Sequence, residues 1–313
     1  IFRVHNPRIR SDLSGVEYEM LLTWSERFTG LLKPTIADFN DSFVLDYLAW
    51  RKARQWRGKP ISPATVNKDR RQILALWNWA RKPRYWRHAP DLRPPEPDVD
   101  VTPEDLRDPE SYSIEEAGVI LSAASSVSGM VGKFPAADFW PALLLFIYDS
   151  GERINSVMNV QGQHVDFSTG FVRIPPEKNK TRREIVRKLS PQCLESLRKL
   201  SPTPNEPLFP WDRDSGKCRE KWVTLRRHYN AILTKAEGVS GGKYKFHRWR
   251  QTSATYTANE LGESAASKHL GHSGETVTRR YIDPTKLTTP THAADVLPRP
   301  EIATGPRLSV FQG

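Results

Sequence analysis

Cysteine is scarce in this sequence. The 313 residues include two, Cys193 and Cys218, which form no Cys-x-x-Cys pair and have no neighbouring histidine pattern. This argues against a disulfide framework and against a zinc site. The chain also lacks a run of 18 apolar residues, so no membrane-spanning helix is predicted. Its first residues show no charged-then-apolar signal pattern, and these absences together predict a cytoplasmic protein.

Acidic residues are outnumbered by basic ones. Lys and Arg total 47 against 36 Asp and Glu, which gives a net charge of +11 and an isoelectric point near 9.7. An excess of this size commonly accompanies nucleic-acid binding, with a merely soluble basic protein as the alternative. Between positions 51 and 93 there are 13 basic residues and two acidic ones. A solvated helix face normally mixes both signs, so this stretch is predicted to lie along a phosphate backbone, with contacts from Lys68, Arg70 and Arg71.

Prolines mark a boundary between two parts of the chain. Six of them fall between positions 90 and 109, among many acidic residues. A segment of this composition packs poorly and is typical of an interdomain linker. The sequence therefore predicts an irregular arm (1–15), a helical domain (16–92), a linker (93–112), a second domain (113–285) and a tail (286–313).

Most of the chain shows a helical spacing of its apolar residues. Three helices are predicted in the first domain, at Val16–Thr29, Asp41–Gln55 and Ala64–Ala80. In the second domain, which is otherwise predicted to be helical, Phe171–Ile174 and Glu184–Leu189 alternate apolar and polar residues. That alternation predicts a β-hairpin with a basic loop at 178–183. The expected fold class is mainly α with a small β-hairpin or sheet.

Four short motifs carry residues suited to phosphate chemistry. The first, Gly151-Glu152-Arg153-Ile154, follows a largely apolar helix. A guanidinium at such a turn can bind two phosphate oxygens at once, and an ordinary surface arginine is the alternative. The second is the predicted hairpin loop, where the ammonium group of Lys180 can give a proton to a leaving oxygen. A solvated basic turn is the alternative there.

The other two motifs lie further along the chain. His247 and Arg250 are three positions apart, on one face of a predicted helix near its start; a packed histidine–arginine pair is the alternative. His272 follows Gly271, and Tyr281 lies nine residues beyond His272. A tyrosine hydroxyl becomes a useful nucleophile where cations stabilise its oxyanion and the attacked phosphate. A half-buried aromatic residue is the alternative for Tyr281.

In this order and spacing, the four motifs resemble those of the tyrosine recombinase family, which includes lambda integrase, Cre and the Xer recombinases. That family has an arginine after a glycine turn, a lysine in a β-hairpin, a His-x-x-Arg box, a Leu-Gly-His box and a tyrosine nine residues later. The resemblance covers about residues 113–285, and more weakly 15–95. It implies an integrase-type catalytic domain preceded by a helical core-binding domain that clamps DNA. The implied catalytic residues are Arg153, Lys180, His247, Arg250, His272 and Tyr281.

The sequence departs from the family pattern at three places. Ser156 stands where the family commonly has an acid, Gln251 where it has a histidine, and Lys188 where it has a proline. Lys178 competes with Lys180 for the role of hairpin lysine, and Lys180 fits the distance to the end of the hairpin better. The basic residues of the loop that are expected to contact DNA are Lys178, Arg182 and Arg183.

The resemblance also implies a mechanism. Tyr281 attacks a scissile phosphate to form a 3′-phosphotyrosyl bond, Arg153 and Arg250 bind the non-bridging oxygens, and the hairpin lysine protonates the leaving 5′ oxygen. His247 assists proton movement at the tyrosine, and His272 hydrogen-bonds the phosphate. No metal, cofactor or ATP is expected, since no carboxylate cluster accompanies these residues. The expected partner is double-stranded DNA with an inverted-repeat site, bound by a homotetramer of a protein that is monomeric when free.

Two other functions stay open on the sequence alone. A type IB topoisomerase uses similar chemistry as a monomer, and the integrase-like layout with an N-terminal helical clamp argues against it. A non-catalytic DNA-binding descendant is the second, and the full set of catalytic residues argues against that. The tail holds one short apolar piece, Ala293–Leu297, which either docks on a neighbouring protomer or belongs to a frayed terminus.

Overall fold

The structure is a computed structural model. It describes residues 19, 23, 26–28, 30, 40–56, 58–104, 108–176, 183–211, 218–239 and 245–287. The chain divides into two compact units, residues 1–106 and residues 107–313. The predicted arm, most of the predicted helix Val16–Thr29, the tip of the predicted hairpin and the tail beyond Leu287 lie outside the described residues.

The first unit is mainly helical in its described part. Its two long helices are Asp41–Lys52 and Pro63–Ala80. Asn40 caps the first and Ser62 the second, because each side chain accepts a hydrogen bond from a backbone N–H of the first turn. A proline at the start of the second helix fits there, since its missing N–H would have no helical partner. The elements are helix α1 (Asp41–Lys52), strands β1 (Gln55–Trp56) and β2 (Lys59–Pro60), helix α2 (Pro63–Ala80), and 3-10 turns at Pro83–Tyr85 and Pro90–Leu92.

The core of the first unit includes part of the predicted linker. Val99 is buried, the Pro95 carbonyl accepts a bond from Trp77 Nε1 at 3.0 Å, and the Thr102 carbonyl accepts one from Asn67 at 2.7 Å. This part of the segment therefore packs against α2, contrary to the expectation from its composition. The predicted domain boundaries themselves stay predictions. The buried apolar residues are Val44, Tyr47, Leu48, Ile61, Val66, Ile73, Trp77 and Val99.

One residue of the basic stretch 51–93 is part of the interior of this unit. Arg51 is 7% exposed, and its Nε lies 2.9 Å from the Asp69 carboxylate. Asp69 also accepts a bond from the Tyr47 hydroxyl at 3.3 Å. A buried guanidinium requires such partners, because removing a charge from water is costly. Arg51 is therefore not part of a phosphate-facing surface.

The three predicted DNA contacts on α2 differ in their surroundings. Lys68 and Arg71 are exposed. Arg70 is half-buried, and its Nε donates to the Val99 carbonyl at 2.7 Å. The structure thus gives Arg70 a hydrogen bond within the first unit.

The second unit combines helices with small antiparallel sheets, so the predicted fold class is confirmed. Its helices are α3 (Ile114–Ser125), α4 (Ala136–Ser150), α5 (Ile154–Val157), α6 (Pro191–Lys199), α7 (Cys218–Lys235), α8 (Lys245–Leu261), α9 (Glu263–Leu270) and α10 (Glu275–Thr278). Its strands are β3 (Met130–Val131), β4 (Phe134–Pro135), β5 (Val165–Asp166), β6 (Phe171–Ile174) and β7 (Ile185–Lys188). Short 3-10 turns lie at Gly162–His164, Arg279–Tyr281 and Pro284–Lys286.

Strands β6 and β7 form the predicted hairpin, with β5 on the other side of β6. The register pairs Phe171 with Lys188 and Ile174 with Ile185. Val172 and Ile174 are buried, while Phe171 and Arg173 are exposed, which is the alternation that the sequence shows. The loop at the tip, residues 177–182, lies outside the described residues.

Helix α4 runs through the core of the second unit. Ten of its residues are buried, among them Phe139, Trp140 and Phe146. The end of the predicted linker packs here too, since the Tyr112 N–H donates to Thr252 Oγ1 at 2.8 Å. Because α4 is held rigidly, the turn that follows it has a fixed position. Within the described part of the chain, no helix has the length and apolar character needed to cross a bilayer.

Replacing Asp69 with alanine should destabilise the first unit by about 3 kcal/mol, the loss typical of a buried ion pair that keeps one partner. The reason is that Arg51, whose side chain is 8% exposed, would keep its charge away from water. Hydrogen exchange of the α1 and α2 amides in the full chain measures this loss.

The matched control is Glu96→Ala. Glu96 lies 3.6 Å from Arg81 but is 82% exposed, so its loss should change protection little. Equal loss of protection in the two variants would contradict the assignment of a buried pair.

Candidate active site

The turn after α4 presents Arg153 from a rigid support. Gly151 ends the helix with φ +61°, in the left-handed region that glycine adopts without strain. A Cβ at this position would lie 2.7 Å from His269 Nε2, so space as well as conformation selects glycine. Glu152 is buried, and the half-buried Arg153 stands at the N-cap of α5. The first motif is thus a tight turn in which the Glu152 side chain is buried.

Helix α8 supplies His247 and Arg250. Arg250 is fully buried, and its guanidinium donates to the carbonyls of Gly151 and Leu270, the latter at 3.0 Å. Both carbonyls lie at helix C-termini, where backbone acceptors lack helical partners. Arg250 therefore ties the end of α4 to the end of α9. Its Nε has no hydrogen-bond partner among the described residues.

The segment after α9 carries His272 and Tyr281. Gly271 ends α9 with φ +67°, and His272 follows it directly. The His272 Nε2 lies 3.0 Å from an Arg250 nitrogen, and its Nδ1 lies 3.0 Å from the Thr278 hydroxyl. Arginine only donates, so Nε2 is the acceptor and Nδ1 carries the proton. The imidazole is therefore held at both nitrogens.

Tyr281 lies in the middle of the cationic and imidazole groups. Its ring centroid is 5.0 Å from that of His247 and 4.9 Å from that of His272. The guanidinium carbon of Arg250 lies 5.2 Å from the same centroid. Three chain segments, α8, the loop after α9 and the 3-10 turn Arg279–Tyr281, meet at this point. The tyrosine is thus half-buried beside a charged group, as a phosphate-attacking hydroxyl would need to be.

Burial and like charges shape the ionisation of the site. The pKa of Arg250 is lowered to about 10 by burial and by the charge of Arg153. Burial, followed by the charges of Arg250 and Arg153, lowers the pKa of His247 and of His272 to about 4 each. Both imidazoles are therefore neutral at neutral pH. The site is an assembly of cationic guanidinium groups and neutral histidines, which favours an anionic ligand.

A cleft of about 270 Å³ opens beside this assembly. Arg153 and His272 line it, together with Lys268 and Arg183. Basic side chains from the turn after α4, from α9 and from the segment before β7 thus face one space, which the carboxylates of Glu152 and Glu184 also line. The basic groups among them suit a phosphate group.

The predicted site residues fall into three groups. The structure brings Arg153, His247, Arg250, His272 and Tyr281 together in one site, and it places Arg183 at the edge of the adjoining cleft. The three predicted helix contacts, Lys68, Arg70 and Arg71, lie in the first unit. Among the residues that the structure describes, no group of three or more His, Cys, Asp or Glu is placed to hold a metal ion. Three predicted residues lie outside the described part of the chain: Lys178, Lys180 and Arg182.

Some residues of the site were not predicted from the sequence. Glu152 and Arg187 form a buried ion pair at 3.4 Å behind the turn. His269 Nε2 lies 2.8 Å from the Ser253 hydroxyl, and burial lowers its pKa to about 4. Glu152 lies inside the first motif and His269 directly precedes the Leu-Gly-His box, so their position was a signal that they are part of the site. Nothing in the sequence pointed to Arg187 beyond its place in an alternating strand.

A family model described as "Phage integrase family" matches residues 134–287 of the chain. A protein of Pseudomonas syringae named "Putative tyrosine recombinase XerC" is 25% identical over 166 residues. The matched region spans 50% of this chain and 35% of that protein, so the chain covers about a third of the relative's length.

Solved structures share the fold at low sequence identity. The Tn1549 transposon integrase in complex with a circular intermediate DNA gives a TM-score of 0.65 at 15% identity, covering 90% of this chain and 92% of that one. A lambda integrase dimer bound to a COC′ core site gives 0.60 at 16%, with the same coverage. XerH bound to a palindromic difH substrate gives 0.59 at 18%, covering 79% of this chain and 67% of that one.

Protonation of the site histidines should destabilise the second unit in acid. His247, His269 and His272 have folded pKa values of about 4, below the ordinary value of 6.5. The unfolded chain therefore binds protons first as the pH falls. The stabilisation is fully present above pH 6.5 and is lost between pH 6.5 and about 4. Thermal melting measured across this range should show a falling midpoint.

His269→Gln isolates one contribution, because the amide removes the titrating group. Its melting midpoint should fall less steeply with pH than that of the unmodified protein. His228→Gln, at an exposed position on α7, is the control for a histidine-to-glutamine change outside the site. Identical slopes for His269→Gln and the unmodified protein would show that this histidine does not resist protonation.

Proposed function

Residues 134–287 belong to the phage integrase family, and on that premise we propose that the chain is a tyrosine-type site-specific recombinase that cuts and rejoins double-stranded DNA. One observation carries the proposal. Arg250, His247 and His272 surround the ring of Tyr281 at centroid distances of 5.2, 5.0 and 4.9 Å. A tyrosine in these surroundings is suited to attack a phosphodiester.

In the proposed reaction, the Tyr281 hydroxyl oxygen attacks the scissile phosphorus. A 3′-phosphotyrosyl bond forms and the bond to the 5′ oxygen breaks, so the energy of the broken bond is kept and no ATP is required. Arg153 and Arg250 bind the non-bridging oxygens, where negative charge builds up. The departing 5′ oxygen takes a proton, for which Lys180 is our candidate. Rejoining is the same reaction in reverse.

The neutral imidazoles support a proton-accepting role. His247 lies beside Tyr281 and, because its pKa is lowered to about 4, has an unprotonated nitrogen at neutral pH. We propose that it takes the phenolic proton as the oxygen attacks. A bound phosphate would offset the charges of Arg153 and Arg250, which lower the histidine pKa, and so would make His247 a stronger base.

His272 needs a change of partner before it can contact the phosphate as a donor. Its Nε2 accepts a bond from Arg250 at 3.0 Å, while its Nδ1 is directed to Thr278. A phosphate oxygen competes for the Arg250 N–H, because charge-assisted bonds to phosphate are stronger than bonds to imidazole. We propose that phosphate binding draws Arg250 away from His272 and that the neutral imidazole then changes tautomer. It loses the Nδ1 proton to solvent and takes one from solvent at Nε2, so that Nε2 donates to the phosphate and Nδ1 accepts from the Thr278 hydroxyl.

The proposed substrate is DNA with an inverted-repeat recombination site, held by a tetramer of the protein. Several proteins with the same fold were solved bound to DNA, which supports DNA as the partner. The net charge of +11 also supports a polyanionic ligand. A DNA substrate is in turn our reason to expect the protein in the cytoplasm.

Tyr281→Phe should abolish covalent attachment to DNA while half-site binding is retained, because the substitution removes one hydroxyl and leaves the ring. A denaturing gel of a suicide substrate measures the adduct. The control is Tyr256→Phe, a half-buried tyrosine elsewhere on α8, which should give a normal adduct. A normal adduct yield from Tyr281→Phe would refute the assignment. Binding without any adduct in the unmodified protein would favour a non-catalytic DNA-binding protein.

Lys68→Ala and Arg71→Ala should each flatten the salt dependence of DNA binding by about 0.9 in the slope of log K against log salt, the value for one lost phosphate contact. Both side chains are exposed on α2. Arg70→Ala is the contrast, because its guanidinium bonds the Val99 carbonyl. It should weaken the fold of the first unit and leave the slope unchanged. Equal slopes for all variants and the unmodified protein would show that this face points away from DNA.

A further inference from the structure

Glu152 is a buried carboxylate among arginines. The residue is 3% exposed, which is unusual for glutamate unless it is paired. Its Oε1 lies 3.4 Å from an Arg187 nitrogen. It is also next in sequence to Arg153 and follows Gly151, whose carbonyl accepts from Arg250. One anion is therefore paired with Arg187 and is near enough to the two predicted phosphate-binding arginines for their charges to act on it.

Arg187 connects the sheet to this turn. Its side chain is 13% exposed, and its Nε donates to the Ser150 carbonyl at 3.3 Å. A second nitrogen donates to the Val186 carbonyl at 2.9 Å. The guanidinium thus bonds the last residue of α4, the Glu152 carboxylate and its own strand. This set of bonds fixes the backbone from which Arg153 projects.

The charges in this group require a counterion. Arg153 lowers the pKa of Arg250, and Glu152 is the carboxylate that raises it. Burial raises the pKa of Glu152, while the charges of Arg250, Arg187 and Arg153 oppose that rise. Two guanidinium groups that are to bind one phosphate must stay close in its absence. A carboxylate behind them reduces their mutual repulsion.

We propose that Glu152, held by Arg187, is a positioning residue that keeps Arg153 and Arg250 directed at the scissile phosphate. The inference rests on the proposed function, because it assigns these arginines to phosphate binding. Glu152 itself does not touch the reacting atoms. Its effect is to keep the two guanidinium groups in the geometry that the transition state requires, which lowers the barrier without adding DNA affinity.

The test separates cleavage rate from binding. Glu152→Gln keeps the shape and one hydrogen-bond acceptor but removes the charge, and Glu152→Asp keeps the charge. Glu206→Gln is the matched control, because Glu206 pairs with Lys133 at 2.5 Å on the surface with about half of each side chain exposed. For each variant, half-site affinity is measured by gel shift, and the single-turnover rate of adduct formation is measured on a saturating suicide substrate.

We expect Glu152→Gln to bind the half-site like the unmodified protein and to form the adduct about 10-fold to 100-fold more slowly, the loss typical of partners that orient functional ligands. Glu152→Asp should recover part of that rate, and Glu206→Gln should cleave normally. A normal rate for Glu152→Gln overturns the proposal. So does an equal loss of affinity and rate accompanied by a lower melting temperature, since that describes a purely structural pair.

A urea double-mutant cycle tests the pair without relying on catalysis. Glu152→Gln and Arg187→Gln should each lower the unfolding midpoint, and the double variant should lose less than the sum. Additive losses overturn the inference. If the unmodified protein forms no adduct while the cycle shows coupling, the proposed function fails and the ion pair stands. If it forms the adduct and Glu152→Gln does so equally fast, the inference alone fails.

Discussion

The hydrogen bonds of the buried Arg250 guanidinium hold the site together. A charged side chain with no exposure is costly unless hydrogen bonds replace the water it loses, and for Arg250 the two terminal nitrogens make those bonds. Its partners are the carbonyls of Gly151 and Leu270 and the imidazole of His272. Both carbonyls belong to helix ends, so satisfying Arg250 also satisfies the backbone there. One side chain thereby fixes where α4 and α9 end relative to α8.

Two of the other functional groups are close in sequence to the carbonyls that Arg250 binds. Arg153 lies two residues after Gly151, and His272 lies two residues after Leu270. Tyr281 then returns over α10 and a 3-10 turn to lie 5.2 Å from the same guanidinium. Because each group is held by backbone or by a packed helix, the change on anion entry is confined to the side-chain bond between Arg250 and His272. Preorganised cations of this kind account for much of enzymatic phosphate chemistry.

The sequence predicted the set of site residues because their chemistry is rare in combination. An ordered arginine, His-x-x-Arg, Leu-Gly-His and tyrosine pattern indicates phosphate chemistry even though no single member does. It did not predict the surroundings of those residues. Arg51 lies in a run that was predicted to face phosphates, and no role was predicted for Glu152, yet each is buried with an oppositely charged partner. Val99 lies among prolines but fills a core. Such outcomes depend on which elements meet in space, and local composition does not contain that information.

The central claim is that the hydroxyl surrounded by Arg250, His247 and His272 becomes covalently linked to DNA. Its most direct test is tandem mass spectrometry of the trapped adduct after nuclease trimming and proteolysis. A nucleotide-phosphate mass is expected on the Tyr281 side chain and on no other residue. Attachment to Tyr256, Tyr244 or any serine would contradict this assignment, because Tyr281 is the tyrosine that lies beside the buried Arg250.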